Sequence, residues 1–164
     1  MNEGQRHAAI KVLIADDDER ILECYRDAFS GSSPTQEMRA LDALSAELFE
    51  PADIVAENPK FEVVACSQGI EAVSLAKQAA ASGQPFDVII LDVRMPPGID
   101  GVEAGSQIRE LDPEVEIVFV SGFSDTPLPE LQRRVPPPMH LHLFRKPLLF
   151  SQLAQDVATL VKEH

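Results

Sequence analysis

The sequence predicts an α/β fold in which a parallel β-sheet carries helices on both faces. Short apolar runs alternate along the chain with longer amphipathic segments, an order that is typical of β-α-β units. The run Val88–Leu91 is apolar without a polar alternation, which indicates a strand buried on both faces. It ends at Asp92 and then breaks into Met95-Pro96-Pro97-Gly98, which cannot continue a strand.

The same patterns place the individual elements. The predicted strands are Ile10–Ala15, Phe61–Cys66, Phe86–Asp92, Val115–Val120 and Leu141–Phe144. The predicted helices are Glu19–Phe29, Gly69–Ala81, Asp100–Leu111, Pro129–Val135 and Ser151–Lys162. Between the first helix and the second strand, an apolar stripe predicts an extra helix over Glu37–Glu50. We therefore expect one domain over residues 1–164, with an inserted helical segment at 30–60.

Composition and charge narrow the function classes. The chain has 164 residues and a net charge of −13, which argues against direct nucleic-acid binding and is compatible with binding a cation. No apolar run is long enough to cross a membrane, and no signal peptide is visible, so a cytoplasmic location is the expectation. Cys24 and Cys66 are predicted to be buried thiols rather than a disulfide or a metal pair.

Polar residues follow the predicted strands at their carboxyl ends. Asp16 and Asp17 follow the first strand, Asp92 ends the third, Ser121 follows the fourth and Lys146 follows the fifth. The carboxyl ends of parallel strands lie at one edge of the sheet, where such folds bind ligands. Carboxylates and a backbone carbonyl suit Mg²⁺, whereas a lysine and a serine suit the oxygens of a phosphoryl group. An aspartate there could attack a phosphoryl group.

At these residues the sequence resembles the receiver domain of two-component response regulators. The resemblance covers nearly all of the chain outside Ser30–Lys60, and its matching motifs follow in chain order: Val12-Leu13-Ile14-Ala15-Asp16-Asp17-Asp18, Leu91-Asp92-Val93-Arg94-Met95-Pro96, Asp100-Gly101, Val120-Ser121-Gly122 and Lys146-Pro147. It implies a doubly wound, flavodoxin-like sheet of strand order 2-1-3-4-5.

The resemblance also implies a role for each site residue. Asp92 would be the phosphoacceptor, and Ser121 and Lys146 would contact the phosphoryl group. Asp17 and Asp92 would bind Mg²⁺ through their side chains, and Asp16 would bind it directly or through water. The backbone carbonyl of Arg94 would be a further ligand. The Lys146–Pro147 bond would be cis, which is inexpensive only before proline.

Three features depart from the usual receiver pattern. The Met95–Gly101 loop is slightly long, and residues 30–60 form an insertion typical of a receiver subgroup. The family's aromatic residue three positions before the lysine is replaced by Leu143. Strand alternation directs Phe144 to the opposite face, so Phe144 should not substitute for that aromatic.

The resemblance implies a phosphorylation switch rather than an enzyme with an external substrate. Its expected partners are a sensor histidine kinase or phosphotransfer protein, an output domain (cyclic-dinucleotide, kinase or other) in a longer chain, and a second copy of itself. One alternative is a binding module that does not use the phosphosite. Another is a Mg²⁺-dependent phosphohydrolase, but Asp16–Arg20 lacks the final Thr or Val of such enzymes. His140 and His142 are expected to be structural or surface residues.

Overall fold

The computed structural model describes residues 9–30, 60–96, 98–122 and 127–162. The strands are β1 (Ile10–Ala15), β2 (Phe61–Cys66), β3 (Val88–Asp92), β4 (Glu116–Ser121) and β5 (Leu141–Arg145). The α-helices are α1 (Glu19–Ser30), α2 (Gly69–Ala81), α3 (Gly101–Leu111), α4 (Leu128–Arg134) and α5 (Phe150–Lys162). A short 3₁₀ helix, Pro138–His140, leads into β5.

The five strands form one parallel sheet in the order β2-β1-β3-β4-β5. In β1, Ala15 is paired with Leu91 of β3, so Asp16 and Asp92 follow at the same edge of the sheet. In β4, Val120 is paired with Asp92, and Ser121 is paired with Arg145 of β5. This register brings the ends of β1, β3, β4 and β5 together, as the strand alternation predicted.

Two apolar layers enclose the sheet. One layer combines alternate residues of β1, β3 and β4, such as Leu13, Ile89 and Phe119, with the buried faces of α2, α3 and α4. The other combines the intervening strand residues, such as Ile14 and Val118, with α1 and α5. All five residues of β3 are buried, which explains why its sequence shows no polar alternation.

The predicted element order and sheet order are confirmed. Most element boundaries agree within one residue, because apolar periodicity and turn residues mark the ends of these segments. Asp100 caps α3 as predicted, since its carboxylate accepts from the Glu103 N–H at 2.8 Å. The thiols of Cys24 and Cys66 are buried, as predicted. The extra helix predicted over Glu37–Glu50 lies outside the described residues.

Gly101 allows α3 to begin directly beside the end of β3. A Cβ atom at this position would lie 1.9 Å from the Asp92 carbonyl oxygen and 3.1 Å from the Val93 Cα. The Gly101 N–H also donates to the Val93 carbonyl at 2.9 Å. Only a residue without a Cβ permits this approach, so Gly101 helps to set the backbone that carries Asp92.

We expect Gly101→Ala to destabilise the protein by about 1–3 kcal/mol, because backbone atoms around Asp92 must move to admit a methyl group. Urea unfolding monitored by circular dichroism would measure the loss. Gly122→Ala is the matched control, since its Cβ would meet nothing closer than the Lys146 Cδ at 3.9 Å. Equal stability of the two variants would show that the backbone at α3 adapts without cost.

Candidate functional site

Three carboxylates meet at the carboxyl edge of the sheet. Asp16 and Asp17 follow β1, Asp92 ends β3, and one oxygen from each lies within 4.8 Å of the others. Asp16 and Asp92 are buried, whereas Asp17 is exposed. This is a set of hard oxygen donors of the kind that Mg²⁺ prefers. The three acids predicted from the sequence as metal ligands are therefore brought together.

Asp16 is the most enclosed member of this cluster, with 1% of its surface exposed. Its Oδ1 accepts from the Asp18 N–H at 2.9 Å. Its Oδ2 is buried and accepts no hydrogen bond, although the Lys146 Nζ forms an ion pair with it at 3.6 Å. Because an unsatisfied buried oxygen is costly, this atom is suited to a ligand that supplies positive charge.

Lys146 bridges the two buried acids. Its Nζ lies 3.3 Å from the Asp92 Oδ2 and 3.6 Å from the Asp16 Oδ2. The Lys146 N–H donates to the Ser121 carbonyl at 2.8 Å, so the end of β4 positions the lysine backbone. The other Asp92 oxygen accepts from the Arg94 N–H at 3.3 Å. The Asp92 carboxylate is thus oriented by a cation on one side and its own turn on the other.

The charges of the site perturb one another. Burial, supported by the nearby Asp92 and Asp17 carboxylates, raises the pKa of Asp16 to about 6. Burial also raises the pKa of Asp92, although Lys146 opposes this change. Burial alone would lower the pKa of Lys146, but the Asp16 and Asp92 carboxylates reverse that effect and raise it. The cluster therefore holds more negative charge than its single lysine neutralises.

The remaining predicted site residues lie at the same edge. Ser121 is buried at the end of β4, next to the register partner of Asp92. The Arg94 side chain is exposed and its backbone begins the loop after β3. The Lys146–Pro147 bond is cis, which confirms the prediction; Pro136–Pro137 is also cis and was not predicted.

Leu143 and Phe144 occupy opposite faces of β5, as strand alternation predicted. Leu143 packs with the core layer of α2, α3 and α4, whereas Phe144 packs with the layer of α1 and α5. Phe144 therefore does not occupy the position of the aromatic residue that Leu143 replaces.

Sequence reasoning missed one polar group away from this edge. Glu116, at the start of β4, is buried and pairs with both His140 and His142. The sequence offered no ligand or catalytic role for the two histidines, and it did not predict their shared partner. Glu116 lies more than twenty residues away in sequence, and only the register of β4 with β5 brings the groups together.

Comparison with known proteins identifies the class. A model of the response regulator receiver domain family matches residues 50–135, and the chain therefore belongs to this family. Its curated relatives include HoxA, a hydrogenase transcriptional regulatory protein of Cupriavidus necator, at 36% identity over 55% of this chain. They also include CpdR, a response regulator receiver protein of Brucella abortus, at 31% identity over 35% of this chain. The matched segments span 16% of HoxA and 52% of CpdR.

Solved structures show the same fold. A response regulator receiver protein of Sinorhizobium medicae aligns with a TM-score of 0.62 at 24% identity, covering 94% of this chain and 95% of that one. The response regulator domain of Thermotoga maritima CheB aligns with a TM-score of 0.61 at 21% identity, covering 95% of this chain and 96% of that one. In the part of the chain that the structure describes, no helix has the length and apolar character needed to cross a membrane.

We expect Asp16→Asn to stabilise the metal-free protein at pH 7 by on the order of 2–3 kcal/mol. The pKa of Asp16 is raised from 3.8 to about 6 in the folded state. The folded protein therefore holds a proton that the unfolded chain releases, and wild-type stability falls as the pH rises from about 4 to 6. Asparagine does not titrate, so its advantage should appear over this range.

Urea unfolding in EDTA at pH 4 and pH 7 would measure this difference. Asp87→Asn serves as the control, because Asp87 is an exposed acid at the opposite end of β3. A variant Asp16→Asn that is less stable than wild type at pH 7 would contradict the assigned charge imbalance.

Proposed function

We propose that this receiver domain is a phosphorylation switch in which Asp92 accepts a phosphoryl group with the help of Mg²⁺. The observation that carries this proposal is the cluster of Asp16, Asp17 and Asp92, whose oxygens approach within 4.8 Å beside the ammonium of Lys146. No other group of three such ligands occurs in the described ranges, 9–30, 60–96, 98–122 and 127–162.

The residues present fit a magnesium ion. The Asp16 Oδ2, which accepts no hydrogen bond, the exposed Asp17 carboxylate and Asp92 would supply oxygen ligands, and the Arg94 carbonyl is the further ligand that the family resemblance implies. The ion would neutralise charge on the phosphoryl oxygens. The exposure of Asp17 leaves one side open to water and to the phosphoryl group, in keeping with the partial hydration that Mg²⁺ retains.

Phosphorylation follows from the arrangement around Asp92. One carboxylate oxygen attacks phosphorus, the bond from phosphorus to the donor's leaving group breaks, and an acyl phosphate forms on Asp92. Lys146, already within 3.3 Å of Asp92, would pair with the new phosphoryl oxygens, and the Ser121 hydroxyl would donate to another. Attack of water on phosphorus would break its bond to the Asp92 oxygen, release inorganic phosphate and return the free carboxylate.

The names of two relatives support a role for this chain in two-component signalling. HoxA is named as a transcriptional regulator and CckA of Brucella abortus as a sensor kinase, and this chain is similar to a part of each. We propose that a histidine kinase or phosphotransfer protein phosphorylates Asp92. The surface of α4, β5 and α5 would pass the change to an output domain or a second copy, by repacking around Leu143 instead of moving an aromatic ring.

Incubation with acetyl phosphate and Mg²⁺ should add one phosphoryl group to the wild type and none to Asp92→Asn, because the amide is a far weaker nucleophile than a carboxylate. Intact-mass spectrometry would detect the adduct. Asp87→Asn is the matched control, since it removes an acid from the opposite end of β3 and should be labelled normally. Asp17→Asn should need more Mg²⁺ for the same labelling, because it lacks one charged ligand. Equal labelling of wild type and Asp92→Asn would overturn the assignment.

We expect Lys146→Ala to fold, to retain Mg²⁺ binding and to respond poorly to phosphorylation. The ammonium is a compact charge that would pair with the phosphoryl group. Amide hydrogen exchange of labelled and unlabelled protein would measure the response in α4 and β5. Lys146→Arg, which keeps the charge, is the control. A normal exchange response in Lys146→Ala would remove the lysine from the mechanism without affecting the assignment of Asp92.

A further inference from the structure

A second polar cluster lies at the edge of the sheet opposite the phosphorylation site. Glu116 begins β4, His140 ends the 3₁₀ helix and His142 lies in β5. The His140 Nδ1 is 2.5 Å from one Glu116 oxygen, and the His142 Nε2 is 2.7 Å from the other. We call Glu116, His140 and His142 the His–Glu clasp.

The clasp is shielded from water. The side chains of Glu116, His140 and His142 are 4%, 12% and 24% exposed. A buried carboxylate must be satisfied by donors, and each imidazole can donate one N–H to a separate oxygen even when it is neutral. A proton on either ring turns such a contact into a charge-assisted hydrogen bond, which is roughly twice as strong.

A buried arginine lies next to the clasp. Arg109 of α3 is buried and donates to the carbonyls of Val115 at 2.6 Å, His140 at 2.9 Å and Asp112 at 3.2 Å. Burial lowers the pKa of Arg109, which the Asp112 and Glu116 carboxylates oppose. On α5, the Asp156 carboxylate lies 3.5 Å from Gln152 of its own helix. Glu116 is therefore the carboxylate that both imidazoles contact directly.

The clasp holds the beginning of the edge strand. Its two histidines flank Leu141, the first residue of β5, and follow Met139, which is 73% exposed. Arg109 holds the same segment through the His140 carbonyl. β5 is one of the two edge strands, and within the sheet it pairs with β4 alone. Contacts between the clasp residues therefore add to the pairing with β4 at the point where the 3₁₀ helix Pro138–His140 ends and the strand begins.

We propose that protonation of the His–Glu clasp stabilises the start of β5 and the adjoining 3₁₀ helix, Pro138–His140, which we call the Met139 turn. Imidazole is the side chain that changes charge between pH 5 and pH 8. At the acidic end of this range an imidazolium binds the Glu116 carboxylate more tightly and holds the turn against β4. At the alkaline end both imidazoles are neutral and donate weaker hydrogen bonds to Glu116, so the Met139 turn separates from β4 more readily. The surface that contains Met139 thereby becomes sensitive to pH independently of Asp92.

The test compares unfolding at pH 8 and pH 6 in EDTA for the wild type and for His140→Asn/His142→Gln. This variant keeps a neutral donor near each of the two nitrogen positions but cannot gain a proton. Repeating both measurements in a Glu116→Gln background completes the cycle. We expect the coupling between the histidines and Glu116, expressed in the unfolding equilibrium constant, to be roughly fivefold larger at pH 6.

The control cycle uses Glu103 and Gln107 on α3, a carboxylate and a non-titrating donor 3.0 Å apart. Its coupling should not change between the two pH values. A clasp coupling that is the same at pH 8 and pH 6 would overturn the proposal.

Amide hydrogen exchange gives a local measurement that does not require Glu116→Gln to fold. After correction for the intrinsic exchange rate, residues 139–142 should gain protection at pH 6 relative to residues 12–14 of β1. The two-histidine variant should lose this gain. If it retains the full gain, or if β1 gains equally, the clasp is not the proton-responsive element. Phosphorylation of Asp92 is a separate measurement, so failure here leaves the proposed function intact.

Discussion

Repulsion among the carboxylates of Asp16, Asp17 and Asp92 is the constraint on which the chemistry at the carboxyl edge of the sheet depends. Burial of Asp16 and Asp92 makes this repulsion stronger than it would be in water. One lysine lies between the two buried acids, and it cannot neutralise all three. The fold thus stores an unfavourable charge arrangement at the place where a cation and a phosphoryl group would relieve it.

The sheet and its connections make this arrangement possible. Parallel pairing of β1, β3 and β4 brings the two acidic strand ends to one edge, and the ordering of β5 next to β4 adds Lys146 from the far end of the chain. Gly101 lets α3 start against the Asp92 carbonyl, so the backbone at Asp92 packs closely against the beginning of this helix. The apolar layers above and below supply the stability that offsets the cost of the charges.

The edge strand β5 connects two polar clusters of different composition, one of acids and a lysine and one of an acid and two histidines. Its carboxyl end leads to Lys146, beside Asp92. Its amino end carries His142, beside Glu116. The apolar residues between these ends, including Leu143 and Phe144, pack on opposite faces of the sheet. The proposed phosphorylation at one end of the strand and the proposed protonation at the other would therefore act on the same strand.

The sequence by itself determined the element order, the parallel sheet and the acids at its functional edge. Strand periodicity, turn residues and the carboxylates at the ends of β1 and β3 are features of short sequence segments. They can therefore be recognised without knowledge of the fold. The tertiary structure alone decided how deeply Asp16 is buried, that its Oδ2 accepts no hydrogen bond, and that Glu116 contacts His140 and His142. These properties depend on strand register and on packing between residues far apart in the chain, which local patterns do not encode.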